Sequence, residues 1–211
     1  MFVHGAFADA SSWNGVIERL QQQEGYTVIA PPNPLRGVAA DSAYLASLLN
    51  QIDGPVLLTG HAYGGAVITN AATSASNVVG LVYVAAFAPD EGENLGDVEN
   101  GSKDSVLNAA LVQYTYPTGH DGETSVEFAI NPARIQEAFA ADLPAETTAL
   151  MAATQRPVAA AGSATRPDHP PGGTCRPGLW SPPATRPRAP MSSVRTPGVQ
   201  AQISSRSTAR T

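Results

Sequence analysis

The apolar residues of this chain fall at two spacings that alternate. Trp13, Val16, Ile17 and Leu20 recur at i, i+3, i+4 and i+7, one face of an amphipathic helix. Ser11 or Ser12 is placed to cap its start and Gly25 to stop it. Tyr26–Ala30 then reads as a strand closed by Pro31-Pro32, and Phe2-Val3 as the end of an earlier one. Asp41 is expected to cap a second helix, with Tyr44, Leu45, Leu48, Leu49 and Ile52 on one face and Gly54 beyond its end. Val56-Leu57-Leu58 is a short apolar run, the mark of a buried strand. Val67, Ile68, Ala71 and Ala72 return to helical spacing, and Val78–Phe87 is almost wholly apolar. Strands that alternate with helices and carry no polar side predict an α/β fold, with a mainly parallel sheet and helices on both faces.

The pattern changes after Phe87. Asp90–Lys103 is acidic and contains glycine, so it is expected to be a loop. Asn131-Pro132 reads as a cap and first residue of a helix with Ile135, Ala138 and Phe139 on its apolar side. Pro144 opens another, with Leu150 and Met151 as its apolar pair. Three parts are expected: a core at 1–90, a small helical cap at 91–160 and a tail at 161–211. The tail's Pro, Arg, Ser, Thr and Gly show no periodicity, and that composition predicts disorder.

Charge divides at the same place. Residues 1–160 hold 5 Lys+Arg and 17 Asp+Glu; residues 161–211 hold 7 Arg and one acid, Asp168, with half of the 18 prolines. The total of −6 argues against nucleic acid as a partner. A single cysteine, Cys175, excludes an internal disulfide framework. No stretch has the length of a membrane span and no signal peptide is visible, so a cytoplasmic protein without membrane contact is expected. No metal-ligand cluster or cofactor motif stands in the chain. Oligomeric state is not legible.

The chemistry concentrates at Gly60-His-Ala-Tyr-Gly64, followed by Gly65, between the Val56–Leu58 strand and the next helix. Strand, glycine turn and helix form the setting of a nucleophile elbow, G-x-S-x-G, in which a serine sits on the turn. Here the middle residue is Ala62, which has no atom able to attack a carbonyl.

His-Gly-Ala-Phe at 4–7, Gly-His-Ala-Tyr-Gly-Gly at 60–65 and Val-Tyr-Val-Ala-Ala-Phe-Ala-Pro at 82–89 together resemble the α/β-hydrolase superfamily. The branch they resemble holds the small esterases related to plant salicylate and jasmonate methyl esterases and hydroxynitrile lyases. The likeness covers residues 2 to about 160. It implies hydrolysis of a small apolar carboxylic ester, without metal or cofactor, by acyl transfer to a serine. It also implies an oxyanion hole from the backbone N–H groups of Ala6 and Tyr63, which needs no particular side chain.

The departures concern the other parts of that machinery. Ala62 stands at the nucleophile position. The histidine that such enzymes carry near the C-terminus, the strand and acid before it, and the first two strands of the fold have no counterpart in the written sequence. Natural loss, an engineered knock-out and a sequencing error would each write this alanine; the other departures favour natural loss. A one- or two-base slip of reading frame between Pro157 and Pro167 would account for the tail, because the shifted codons permit the missing strand, acid and histidine. The nucleotide sequence tests that reading.

The remaining polar residues carry weaker signals. Asp90, after the Val78–Phe87 strand, is a candidate acid; a solvated acidic loop is its other reading. His61 is read as packing beneath the turn rather than as a base, and His4 as structural. His120 is read as solvated, and His169 and Cys175 are given no role. Tyr83 and Phe87 are assigned to the core. An inactive hydrolase, a small-ligand binder on the same scaffold and a degraded fragment are the three classes left open.

Overall fold

The computed structural model describes residues 1–88, 106–119 and 122–160, all within one compact unit, Met1–Asp168. The expected tail, Asp90, His120, His169 and Cys175 lie outside the described residues.

Three strands make a parallel sheet in the order β1 (Phe2–Val3), β2 (Val56–Ala62), β3 (Val78–Ala86). Between them run α1 (Asn14–Glu24), α2 (Val38–Leu49) and α3 (Tyr63–Ala72). Val3, Val56 and Leu58 face α2 and α3, and Leu35, Leu45, Leu49, Val67 and Ile68 close a core around them. Burying each such side chain is worth about 1.5–3 kcal/mol, the largest favourable contribution to this half of the molecule. The opposite face meets Trp13, whose ring lies 4.8 Å from that of Phe2 and edge-on to His61 at 6.4 Å. Helices thus pack on one face and the Trp13 turn on part of the other, where Leu57, expected in a buried run, stays exposed.

Two glycines let α3 press onto the strands. A β-carbon on Gly64 would come 2.5 Å from the Val3 carbonyl oxygen, and one on Gly65 would run into the Phe87 carbonyl oxygen. Backbone cannot yield there, so no larger residue fits.

Several local expectations are corrected. Ser11 and Ser12 do not cap α1: Asp9 accepts the Ser11 N–H at 2.8 Å and caps a single 3-10 turn, Ala10–Trp13, that leads into it. Val16 is exposed rather than on the packed face. Gly25 does end α1, in the left-handed conformation (φ 65°). Tyr26–Ala30 is not a strand; β1 is two residues long and offers it one bond, Phe2 N–H to the Ile29 carbonyl at 2.8 Å. Asp41 lies inside α2, whose N-cap is Gly37.

The second half holds more strand than its sequence suggests. β4 (Leu111–Pro117), β5 (Thr124–Ile130) and β6 (Val158–Ala159) form an antiparallel sheet, flanked by α4 (Leu107–Ala110), α5 (Ile135–Phe139) and α6 (Ala145–Thr154). The helical expectation accounts for 132–154 and misses the hairpin. Asn131 does cap the turn after β5, accepting the Ala133 N–H at 3.0 Å. Met151 packs inward, but Leu150 is exposed. Phe7, Ala110, Ile130 and Ile135 form a second small core. The loop before α2 ties this sheet to the first. The Leu35 carbonyl accepts the Ala159 N–H at 2.9 Å, and Arg36 pairs with Glu127 at 2.7 Å while its guanidinium lies 4.5 Å above the Tyr116 ring. Among the described residues no helix is long and apolar enough to cross a membrane.

Candidate active site

Among the described residues, four other than glycine have positive φ: Phe7 (61°), Leu35 (59°), Ala62 (47°) and Ala85 (43°). Phe7, Ala62 and Ala85 stand at or just beyond the C-terminal ends of β1, β2 and β3. Such backbone is held against its own preference only where its surroundings over-determine it, and it gathers at functional sites. The sheet's C-terminal edge is also where parallel α/β folds place their ligands.

Ala62 ends β2 and is the N-cap of α3, with φ 47° and ψ −121°. Its carbonyl accepts the Phe87 N–H at 3.1 Å, which fixes the turn to the end of β3. The sharp strand-to-helix bend that Gly60–Gly65 predict is therefore present, with the alanine at its apex. Tyr63, the next residue, opens α3, and its N–H belongs to the first turn, where no intrahelical acceptor exists. Its side chain is buried, and its hydroxyl donates to Asp41 Oδ2 at 2.7 Å. Burial, with the Asp41 carboxylate beside it, pushes the Tyr63 phenol well above the usual tyrosine range. The other Asp41 oxygen accepts the Arg36 N–H at 3.1 Å.

Ala6 and Phe7 form a turn directly after the His4-Gly5 pair. Ala6 packs against both cores, so it stands where the two sheets meet. A β-carbon built on Gly5 would touch both Ala62 and His61, which puts the His-Gly-Ala loop alongside the elbow.

His4 is fully buried, and its ring is occupied on both sides. Nε2 accepts the Asn33 N–H at 3.0 Å, so Nδ1 carries the proton and donates to the Gly5 carbonyl at 2.9 Å. Asn33 returns a bond from its side-chain amide to the His4 carbonyl at 3.0 Å. Burial lowers the His4 pKa, although the Gly5 bond opposes that shift. His61 is half-buried against Trp13, and burial lowers its pKa as well; among the described residues its ring makes no hydrogen bond.

The structure thus brings Ala6, Ala62 and Tyr63 to one edge, while Asp90 lies outside the described residues. Tyr83 is not a core residue: it is part-exposed, with its hydroxyl 2.8 Å from that of Thr69. Asp41 and Asn33 support the site without a motif that marks them. Asn33 carries a local signal, since an asparagine between Pro32 and Pro34 is held in a fixed loop; Asp41 reads as an ordinary cap. Among the described residues no three His, Cys, Asp or Glu side chains gather as a metal site requires.

A model of the alpha/beta hydrolase family matches residues 1–199. No curated protein matches the chain. Among solved structures, polyneuridine aldehyde esterase is similar, with a TM-score of 0.61 at 21% identity over 75% of this chain and 68% of that one. The methylesterase MES16 from Arabidopsis gives 0.53 at 22% identity over 75% and 66%. Tomato methylketone synthase I complexed with 2-tridecanone gives 0.55 at 20% identity over 75% and 67%. At these identities the likeness is one of fold.

Proposed function

Because the chain belongs to the alpha/beta hydrolase family, we propose that it keeps the frame of a serine ester hydrolase but does not turn ester over. The observation that carries this reading is Ala62, a residue with no hydroxyl on the strained bend between β2 and α3. In such a centre the nucleophile attacks a carbonyl held by two preset N–H donors. Ala6 and Tyr63 are assigned that role here, each donor being worth about 3–4 kcal/mol of barrier. Asp90 is a candidate acid by its place in the sequence alone, with a solvated acidic loop as its other reading. The substrate class is a small apolar carboxylic ester, with no metal or cofactor, in a cytoplasmic setting. Residues 1–90 are assigned to the core, 91–160 to the cap and 161–211 to the tail.

A second reading is a binder of small apolar carbonyl compounds. It is favoured by the same donors, which belong to the backbone and survive loss of the serine. That one solved relative holds the ketone 2-tridecanone fits such chemistry. The test is p-nitrophenyl ester hydrolysis by the purified chain against a mock preparation. Turnover above the mock overturns the proposal. A ligand-induced rise in melting temperature without turnover selects the binder. Absence of a cooperative melt selects a degraded fragment.

A further inference from the structure

Strand β3 forms one edge of the parallel sheet, bonded to β2 on one side and, among the described residues, to no strand on the other. Val78–Ala86 holds no charged residue and no proline. Charges and prolines are the usual means by which natural edges avoid pairing with another chain. Val82, Tyr83 and Val84 are 36%, 40% and 42% exposed, high values for so apolar a strand. Beside them Leu57 of β2 is also exposed, on the face that carries Gly80.

We propose that β3 pairs edge to edge with β3 of a second copy of this chain, across a two-fold axis at Val82. The register supplies the axis. Pairing with β2 skips one β3 residue at Val79 and one at Ala85, so β3 is bulged at both ends. The regular run between the bulges is Gly80–Val84, centred on Val82. A two-fold axis makes identical strands antiparallel, setting Val82 opposite the same residue of the second copy. A run of this length is ordinary for a strand.

The opposite edge favours a closed pair over a fibre. There β1 is only two residues long and its Phe2 N–H already donates to the Ile29 carbonyl, so that edge offers little to a second strand. Within the parallel sheet, β3 is then the one open edge among the described residues, and one partner uses it up.

The remaining sequence is a poorer occupant than β3 itself. Residues 161–211 carry nine prolines, and proline cannot donate to a strand ladder. Their longest proline-free stretch, Gly198–Thr211, has only Val199 and Ile203 as branched apolar residues. Residues 90–104 hold Asp90, Glu91, Glu93, Asp97, Glu99 and Asp104 against Lys103. Like charges crowded beside an apolar edge would have to be desolvated there.

The test is the mass of the full chain in solution by light scattering. Twice the chain mass of 21.8 kDa is expected, and Val82→Lys, with its far-UV spectrum checked, should return the mass to one chain. A second variant does not depend on breaking the pair. In a Cys175→Ser background, Val82→Cys should oxidise to a covalent dimer, because directly opposed β-carbons lie about 5 Å apart. Val79→Cys, at the bulge, should not. A single-chain mass for the unaltered protein overturns the proposal, and so does a spread of masses beyond the dimer. A dimer that resists Val82→Lys and fails to cross-link through Val82→Cys overturns it too.

Discussion

A β-carbon on Gly5 would stand 2.9 Å from the β-carbon of Ala62. The same atom would lie 3.1 Å from the His61 carbonyl oxygen and 3.3 Å from its Nδ1. The loop after β1 and the elbow after β2 are therefore in contact with no space between them, and the missing side chain at position 5 is what permits it. Gly5→Ala should destabilise the protein by about 1–3 kcal/mol, the usual range for overpacking a tight site. The strain should fall when Ala62→Gly is added, giving a coupling of about 0.5 kcal/mol or more in a double-mutant cycle by urea denaturation. If Gly5→Ala is as stable as the parent, the two segments are not packed in this way.

Ala62 itself carries strain. At φ 47° and ψ −121° its β-carbon opposes the backbone, a conformation that glycine adopts freely. Such a residue is held at a cost of about 1–3 kcal/mol, against which glycine's greater unfolded entropy subtracts about 0.4–1 kcal/mol. Ala62→Gly should thus raise stability by about 1 kcal/mol, seen as a higher melting temperature. A lower one would mean that the bend is relaxed with alanine in place.

Ala62→Ser restores a hydroxyl but not its activation. Among the described histidines, His4 has both ring nitrogens engaged and His61 packs on Trp13. Neither is arranged as a base for an attacking oxygen. Loss of the acting serine or histidine from such a unit lowers the rate by about 10⁶-fold, alone or together. The single change should therefore leave p-nitrophenyl ester hydrolysis at background. Turnover by this variant would show that a histidine of this chain does serve, and the same assay on Ala62→Ser/His61→Ala would say whether it is His61.

How far the sequence could be read depended on which forces fix each element. Glycines at 60, 64 and 65 leave α3 only one way to approach the strands, so the bend and its alanine were legible. The left-handed stop at Gly25 and the Asn131 cap are equally local. Tyr26–Ala30 has strand composition, but β1 is too short to pair with it, and strand formation needs a partner that composition cannot supply. The β4–β5 hairpin was missed because Leu111–Pro117 and Thr124–Ile130 mix polar and apolar residues without clean alternation. Its stability comes from pairing and from Arg36, far away in sequence. Asp41 shows the same limit: a carboxylate in the first turn of a helix reads as a cap, and only the fold brings the Tyr63 hydroxyl to it.

The Tyr63–Asp41 bond gives a prediction of its own. Asp41 is buried, and its two oxygens are served by the Tyr63 hydroxyl and the Arg36 N–H. Tyr63→Phe removes one donor and leaves a buried carboxylate oxygen unpaired. A loss of about 2 kcal/mol is expected, within the range for hydrogen bonds to charged groups. Adding Asp41→Asn should recover part of it, because a neutral amide is cheaper to leave underbonded. If Tyr63→Phe costs nothing, water or another donor takes the place of the hydroxyl.

His4 links stability to pH. Its neutral ring accepts from Asn33 and donates to Gly5, and a second proton would sit on the nitrogen that must accept. Burial keeps its pKa in the folded chain below the ordinary histidine value of about 6.5. Between the folded and unfolded values the unfolded chain holds a proton that the folded chain does not, so stability rises with pH there. The contribution is complete above the unfolded value and is lost as pH falls through the folded one. His61 shifts in the same direction through burial, so the whole-protein slope contains both. His4→Gln isolates the first. The variant should melt lower than the parent at neutral pH, and the gap should narrow as the solution is acidified from about pH 8 to pH 5, the window in which histidine titrates. Melting curves that stay parallel across that range would mean that His4 has the same proton affinity in the folded and unfolded chain.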